Sequence, residues 1–195
     1  MAASRFSNKD DARTAVWDRL QVQRLARFPF PPHGRIPNFA GADRAARRLF
    51  ELAPWKNAKR LKINPDAPQR PVREESLRRG IQVYVPTPRL RGGFMLLDPA
   101  VIPPDKIRAA SGLSTGARWA KKIRLKNLPP MDAIVCGSVA VTRRGRRCGR
   151  GKGTAISNSP SCGSWDILRC RSPRRSTTCR SLMNSRWTLP IFLSP

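Results

Sequence analysis

The chain has 195 residues, enough for one domain of ordinary size whose core needs no disulfide staples. Its 39 Lys and Arg outweigh 12 Asp and Glu to give a net charge of +27, so its partners are anionic: nucleic acid, nucleotide phosphates or a polyanionic small substrate. One histidine and widely, unevenly spaced cysteines exclude the usual zinc patterns, and no apolar run approaches the ~20 residues of a membrane span.

Residues 10–25 read as a first helix. Ala12, Val16 and Leu20 repeat at helical spacing with Trp17 beside them, and Asp10 and Asp11 suit the positive N-terminal end. Residues 27–39 are a Pro-rich connection. A second helix starts at Ala42 or Asp43, with Ala42, Ala45, Ala46, Leu49 and Phe50 on one face. Residues 58–63 form a short strand and residues 64–69 a loop. Pro71 fits the first turn of a third helix and Gly80 its C′ position. Ile81, Val83 and Val85 alternate into a strand stopped by Pro86 and Pro88, and residues 94–97 make another, ended by Asp98-Pro99. The β-branched run from Ala133 to Cys136, continued by Val139 to Val141, reads as one buried strand.

Helices alternating with short apolar strands predict an α/β domain with a mostly parallel sheet. Ligands of such sheets bind outside the carboxyl ends of the strands, which would gather the loops at Asn64, at Pro86 and after Val141 along one edge. The last of these, residues 145–153, alternates glycine with Arg147, Arg150 and Lys152. Glycines let the backbone approach a phosphate and aim N–H groups at it, while the cations supply charge. A helix N-terminus should complete such a site, yet residues 154–195 show neither helical nor strand periodicity. No stripe of cations interleaved with aromatics stands out in the sequence, which ranks nucleotide phosphates ahead of nucleic acid.

The blocks IPNFAGAD, KINPDAPQRPVR, VYVPTPRLR and IVCGSVAVTRRG, in that order, resemble the 5-formyltetrahydrofolate cyclo-ligase (5,10-methenyltetrahydrofolate synthetase) family, in its divergent synthetase-domain branch. Gly145, Arg147, Gly149, Gly151 and Gly153 fall in step with that family's G-x-R-L-G-x-G-x-G loop, Cys148 taking the Leu place, and Lys9 and Arg13 have the spacing of its N-terminal Lys-x-x-x-Arg. The resemblance covers residues 9–153. It implies a three-layer α/β domain, incomplete at its C-terminal end, and a ligase that uses ATP and magnesium to convert 5-formyltetrahydrofolate into 5,10-methenyltetrahydrofolate. It further implies a catalytic role for Arg147, ATP binding by Lys9, Arg13, Gly149, Arg150, Gly151, Lys152 and Gly153, and reduced-folate binding by Asp66 and Gln69. The folate loop departs from the family in reading NPDAPQ where a Glu-containing block is expected. A monomeric, cytoplasmic protein without membrane association is the expectation, the N-terminus showing no signal-peptide h-region.

The same residues have plainer readings. Lys9 and Arg13 fit a solvated helix face, Arg147, Arg150 and Lys152 a basic linker, and Asp66 and Gln69 a turn held by local side-chain bonds. Residues 1–8 read as a disordered N-terminus. Residues 154–195 read in two ways: as a genuine Arg/Ser-rich disordered extension, or as the family's C-terminal segment translated out of frame after a single-base indel near Gly153. Back-translation one base out favours the second. Trp165-Asp166 must then give Gly, Met183-Asn184 Glu and Trp187-Thr188 Asp, and GC-rich codons turn residues 153–166 into YRDLEFAVLRELG and residues 174–181 into TVHDLQV, segments the family carries. A frameshifted tail would impair catalysis and leave a basic nucleic-acid-binding protein as the alternative function.

Overall fold

The computed structural model describes residues 6, 8–53, 55–141 and 147–151. The sequence expectations for the tail, for Gly145, Lys152 and Gly153, and for all but two of residues 1–8 lie outside them. The described residues fall into two compact units, one holding those up to Gly41 and from Gly137 onward, the other Ala42–Cys136.

In the first unit, α1 spans Lys9–Val22. Its N-cap is Asn8, whose side-chain oxygen accepts from the backbone N–H of Asp10 (2.8 Å) and Asp11 (2.9 Å), satisfying two donors that would otherwise lack partners. The helix stops three residues before Leu25 because Arg24 turns to φ 53°. Leu25 N–H then reaches back to Leu20 O (2.8 Å) and Arg24 N–H to Gln21 O (3.0 Å), a Schellman closure with an arginine in the usual glycine place. Two short antiparallel ladders follow: β1 (Ala26–Arg27) with β2 (Asn38–Phe39), and β8 (Ala140–Val141) with β9 (Arg147–Cys148). Trp17, Val139 and Cys148 form the small core, flanked by Val16, Ile36 and Ala140. The Trp17 indole N–H, buried in that core, donates to Arg35 O at 3.1 Å.

The second unit contains α2 (Ala42–Leu49), β3 (Arg60–Ile63), α3 (Arg70–Arg78), β4 (Gln82–Pro86), β5 (Phe94–Leu97), the short helices α4 (Ile107–Ala110) and α5 (Leu113–Gly116), β6 (Ala120–Ile123) and β7 (Ala133–Val135). Its sheet has the order β6-β5-β4-β3-β7. Leu61, Ile63, Val83 and Val85 point to one face and pack with Ala46, Val72, Leu77, Ile107 and Ala110 of the helices and with Phe50 just after α2. Each such fully buried aliphatic side chain contributes roughly 1.5–3 kcal/mol. Tyr84, Phe94, Leu96 and Met131 form a second, smaller cluster. At the end of α3, Gly80 takes φ 72°, Ile81 N–H bonds Ser76 O (2.9 Å) and Gly80 N–H bonds Leu77 O (3.1 Å), so the sequence-expected C′ glycine closes the helix.

The fold is α/β, but the expected mostly parallel sheet is mixed: β3 pairs in parallel with β4 and β7, while β4-β5 and β5-β6 are antiparallel. The chain runs from β4 to β5 with no long crossover helix, and a short connection between neighbouring strands forces the antiparallel direction. A second expectation also changes. The run from Ala133 to Val141 is two strands, not one, because Gly137-Ser138 separate β7, in the five-stranded sheet, from β8, in the other unit. Part of the glycine-cation loop is likewise ordered as a ladder, with Ala140 opposite Cys148 and Val141 opposite Arg147.

Candidate functional site

β3 is the inner strand between β4 and β7, and all three run in one direction. The chain passes from β3 to β4 on one side, while β7 adds on the other. Their carboxyl ends therefore meet at a topological switch point, the usual ligand position in such sheets. Lys62 lies in β3 there, on the face opposite Leu61 and Ile63, with only 2% of its surface exposed. Its ammonium donates to Asn64 Oδ1 at 2.5 Å and lies 3.6 Å from Cys136 Sγ. Asn64 N–H in turn donates to Val135 O at 3.2 Å, tying the β3 and β7 exits together.

Asn64 opens the loop that carries Asp66 and Gln69. Asp66 is half-buried and starts a short 3-10 turn, Ala67–Gln69, with its backbone carbonyl accepting from Gln69 N–H (3.1 Å); its side chain does not cap the turn. Gln69 is buried. The loop is held from below by Arg73 of α3, itself 2% exposed. Arg73 donates to Asn64 O (2.7 Å), to Ser111 O (2.9 Å) and, at longer range, to Asp66 O (3.4 Å). Burial pushes its pKa down to about 10, opposed by the negative field of Asp66 and helped by the nearby charge of Arg70. The guanidinium thus remains charged at neutral pH and fixes the loop by charge-assisted bonds.

Lys62 and Arg73 escaped the sequence reading, and Cys136, expected at the end of a buried run, is only half-buried, beside the Lys62 ammonium. A signal existed for Lys62: a lone cation between Leu61 and Ile63 in an inner strand, where both faces are covered. A surface groove of this unit, about 500 Å³ between α2 and α3, sets Arg47 against Asp43 and Arg78 against Glu74. Arg70, also on its wall, donates to Ser111 Oγ (3.3 Å) and to Arg108 O (3.0 Å), so much of its charge is already engaged.

The expected ATP residues belong to the first unit. Arg13 is one turn beyond Lys9 on α1, and its side chain is only 12% exposed. Its Nε donates to Gly149 O at 2.5 Å and its Nη1 pairs with Asp10. Gly151 takes φ 86°, a backbone conformation that favours glycine, and a Cβ there would stand in ordinary contact, 3.5 Å, with the Arg13 guanidinium. A Cβ on Gly149 would meet nothing within 4 Å, leaving open space beside its backbone. Lys9, Arg147 and Arg150 are exposed. The structure therefore brings Arg13, Gly149 and Gly151 together, with Arg147 on β9 leading into them.

These groups suit an anion: exposed cations beside an open glycine backbone. They suit a resident divalent cation less well, because no group of three His, Cys, Asp or Glu side chains gathers among the described residues. No helix among them is long and apolar enough to cross a membrane.

A sequence model of the 5-formyltetrahydrofolate cyclo-ligase family matches residues 8–158. Among curated proteins, the methenyltetrahydrofolate synthase domain-containing protein of Bos taurus is 41% identical over 150 residues, covering 76% of this chain and 40% of its own. The proteins of that name from Mus musculus and Homo sapiens are 39% and 37% identical over 150 residues, again 76% of this chain, and 40% and 39% of theirs. The chain thus spans about two-fifths of the length of these relatives. With a match that extends over both the glycine loop and the Asn64 loop, the chain belongs to the 5-formyltetrahydrofolate cyclo-ligase family.

Proposed function

We propose that the chain derives from an ATP-dependent enzyme that closes a C–N bond in a reduced folate, and that its altered tail impairs the reaction. The nucleotide supplies a phosphoryl group to the formyl oxygen of 5-formyltetrahydrofolate, so that attack by N10 expels phosphate as the ring closes. The protein's part in such chemistry is positioning and charge neutralisation.

In this reading Lys9, Arg147 and Arg150 provide positive potential for the phosphates, joined by Lys152 and Gly153, and Gly149 offers open backbone for close approach. Arg13 has a different task from the one its sequence position implied. With Nε on Gly149 O and Nη1 on Asp10, it positions the loop. Asp66 and Gln69 face the folate, on a loop fixed by Arg73 and Lys62. Magnesium enters with the nucleotide, since the described side chains offer no three-ligand cluster for it.

The observation that carries this reading is the bond between Arg13 and Gly149. It couples the N-terminal cation motif to the glycine loop, two features far apart in sequence that the family shares. Equilibrium binding of a non-hydrolysable ATP analogue to the full chain tests it. Replacing both Arg147 and Arg150 by Ala should weaken binding at least about tenfold, or 1.4 kcal/mol. Unchanged affinity in that double variant would overturn the assignment of the loop to ATP.

A further inference from the structure

The acids of this chain are unevenly placed. Between Asp105 and Asp132 there is none, while the segment holds Lys106, Arg108, Arg118, Lys121, Lys122, Arg124 and Lys126. The last five flank or lie within β6, and all five are exposed. Elsewhere in this unit surface cations tend to be paired, as in Arg47–Asp43, Arg78–Glu74, Arg79–Glu75 and Lys106–Asp105. Around β6 no described side chain pairs with a carboxylate; the Arg118 guanidinium lies over the Trp119 ring at 4.9 Å. The row that linear reading did not pick out becomes a row once β6 is seen as an edge.

β6 ends the sheet order, bonded to β5 alone among the described strands. Its register sets Lys121 opposite Leu96 and Lys122 opposite Met95, on opposite faces of the sheet. A lysine or two suffices to discourage edge-to-edge pairing. Five uncompensated cations running past both ends of the strand exceed that need.

We propose that the β6 edge docks an extended acidic peptide segment of another protein, which adds to the sheet as a further strand. Strand addition uses the unpaired backbone groups of the edge for affinity and alternate side chains for specificity. A peptide lying in the plane of the sheet puts carboxylates on both faces, where Lys121 and Lys122 point. A nucleic-acid strand laid on one face would reach only one of the two. Charge excludes the other occupants close at hand. A second copy would bring the same cations together, and residues 154–195 contain six arginines against one acid, Asp166.

The test is fluorescence anisotropy on the full chain with a short dye-labelled peptide repeating Glu-Glu-Val-Val, with the same peptide N-methylated on alternate backbone nitrogens, and with a single-stranded oligonucleotide of equal charge. The unmodified peptide should bind, weaken with salt, and slow amide hydrogen exchange at Ala120–Ile123. Lys121→Glu with Lys122→Glu should weaken it at least about tenfold, while Arg44→Glu with Arg48→Glu, exposed on α2, imposes the same charge change and should leave it within about twofold. The methylated peptide should bind at least about tenfold more weakly than its parent. Equal binding of the methylated peptide, tighter binding of the oligonucleotide, or an equal response to the α2 changes would each overturn the proposal, since any of them reduces the edge to unspecific charge.

Discussion

Replacing Arg73 by Met removes a buried side chain that ties the Asn64 loop to the end of α4. The guanidinium donates to Asn64 O at 2.7 Å and Ser111 O at 2.9 Å, and it is 2% exposed. Hydrogen bonds to a charged group are worth about 1.5–3 kcal/mol each, and a buried carbonyl left without a donor costs about 1–3 kcal/mol. Against this stands the burial that lowers the arginine pKa from its ordinary value to about 10, a penalty on the charged form on the order of 3 kcal/mol. Methionine escapes that penalty but strands both carbonyls, so the net loss should be about 2–4 kcal/mol. Urea denaturation followed by tryptophan fluorescence reads it directly, Trp55 and Trp119 lying against the main core. With a slope of about 1–3 kcal/mol per molar, the midpoint falls by about 1–2 M. Arg73→Lys, which keeps the charge but loses the fork, should recover less than half.

The pH dependence of that loss has a fixed sign. A base whose folded pKa lies below its unfolded value binds fewer protons in the folded state only between the two, here from about 10 up to the ordinary arginine value, and stability rises with pH in that window. Below it both states hold the proton, so the effect of the substitution should be flat between about pH 6 and 9. A Met variant within about 0.5 kcal/mol of the parent would refute the reasoning, because the two carbonyls would then have been satisfied without the arginine.

Gly151→Ala should cost about 1–2 kcal/mol, because φ is 86° there, and should weaken nucleotide binding by straining the glycine loop. Gly149→Ala, with open space where its Cβ would go, should leave the unfolding midpoint unchanged and weaken the ATP analogue alone; titrating the analogue into both variants separates the two effects. Lys62→Met should leave stability unchanged or raise it by about 1 kcal/mol, since an apolar side chain of similar length avoids the cost of a buried charge, while 5-formyltetrahydrofolate binding falls as Asn64 loses its fixed orientation. Asp132→Ala should lower stability by about 1–2 kcal/mol in the same urea assay, because its carboxylate accepts from the N–H groups of Lys59 (2.7 Å) and Arg60 (2.9 Å) at the start of β3.

Much of this fold is legible in the residues because local rules decide it. The apolar spacing around Trp17 and Leu20, the Ala-rich face of α2, Pro71 and Gly80 at the ends of α3, and the apolar runs of β4 and β5 each act within one element. What escaped depends on partners distant in sequence. β6 reads A-K-K-I, and its strand character comes from pairing with β5, not from its own pattern. The division of residues 133–141 turns on which sheet each half joins, although Gly137 marks the place. Of the candidate site, the glycine loop announced itself, whereas Arg73 looked like any helix-surface arginine. Only the packing of α3 against the Ser111 turn makes it a buried clamp. Arg13 was legible as a site residue, but its bond to Gly149, 136 positions away, was not.

The central claim, descent from an ATP-dependent folate cyclase with an impaired tail, is tested most directly by turnover. Purified chain, as written and with the reading frame after Gly153 restored by one base, is supplied with 5-formyltetrahydrofolate, ATP and magnesium, and the absorbance of 5,10-methenyltetrahydrofolate is followed. Product should form with the restored chain and not with the chain as written. Turnover by the chain as written, or its absence in a folded restored chain, would contradict it.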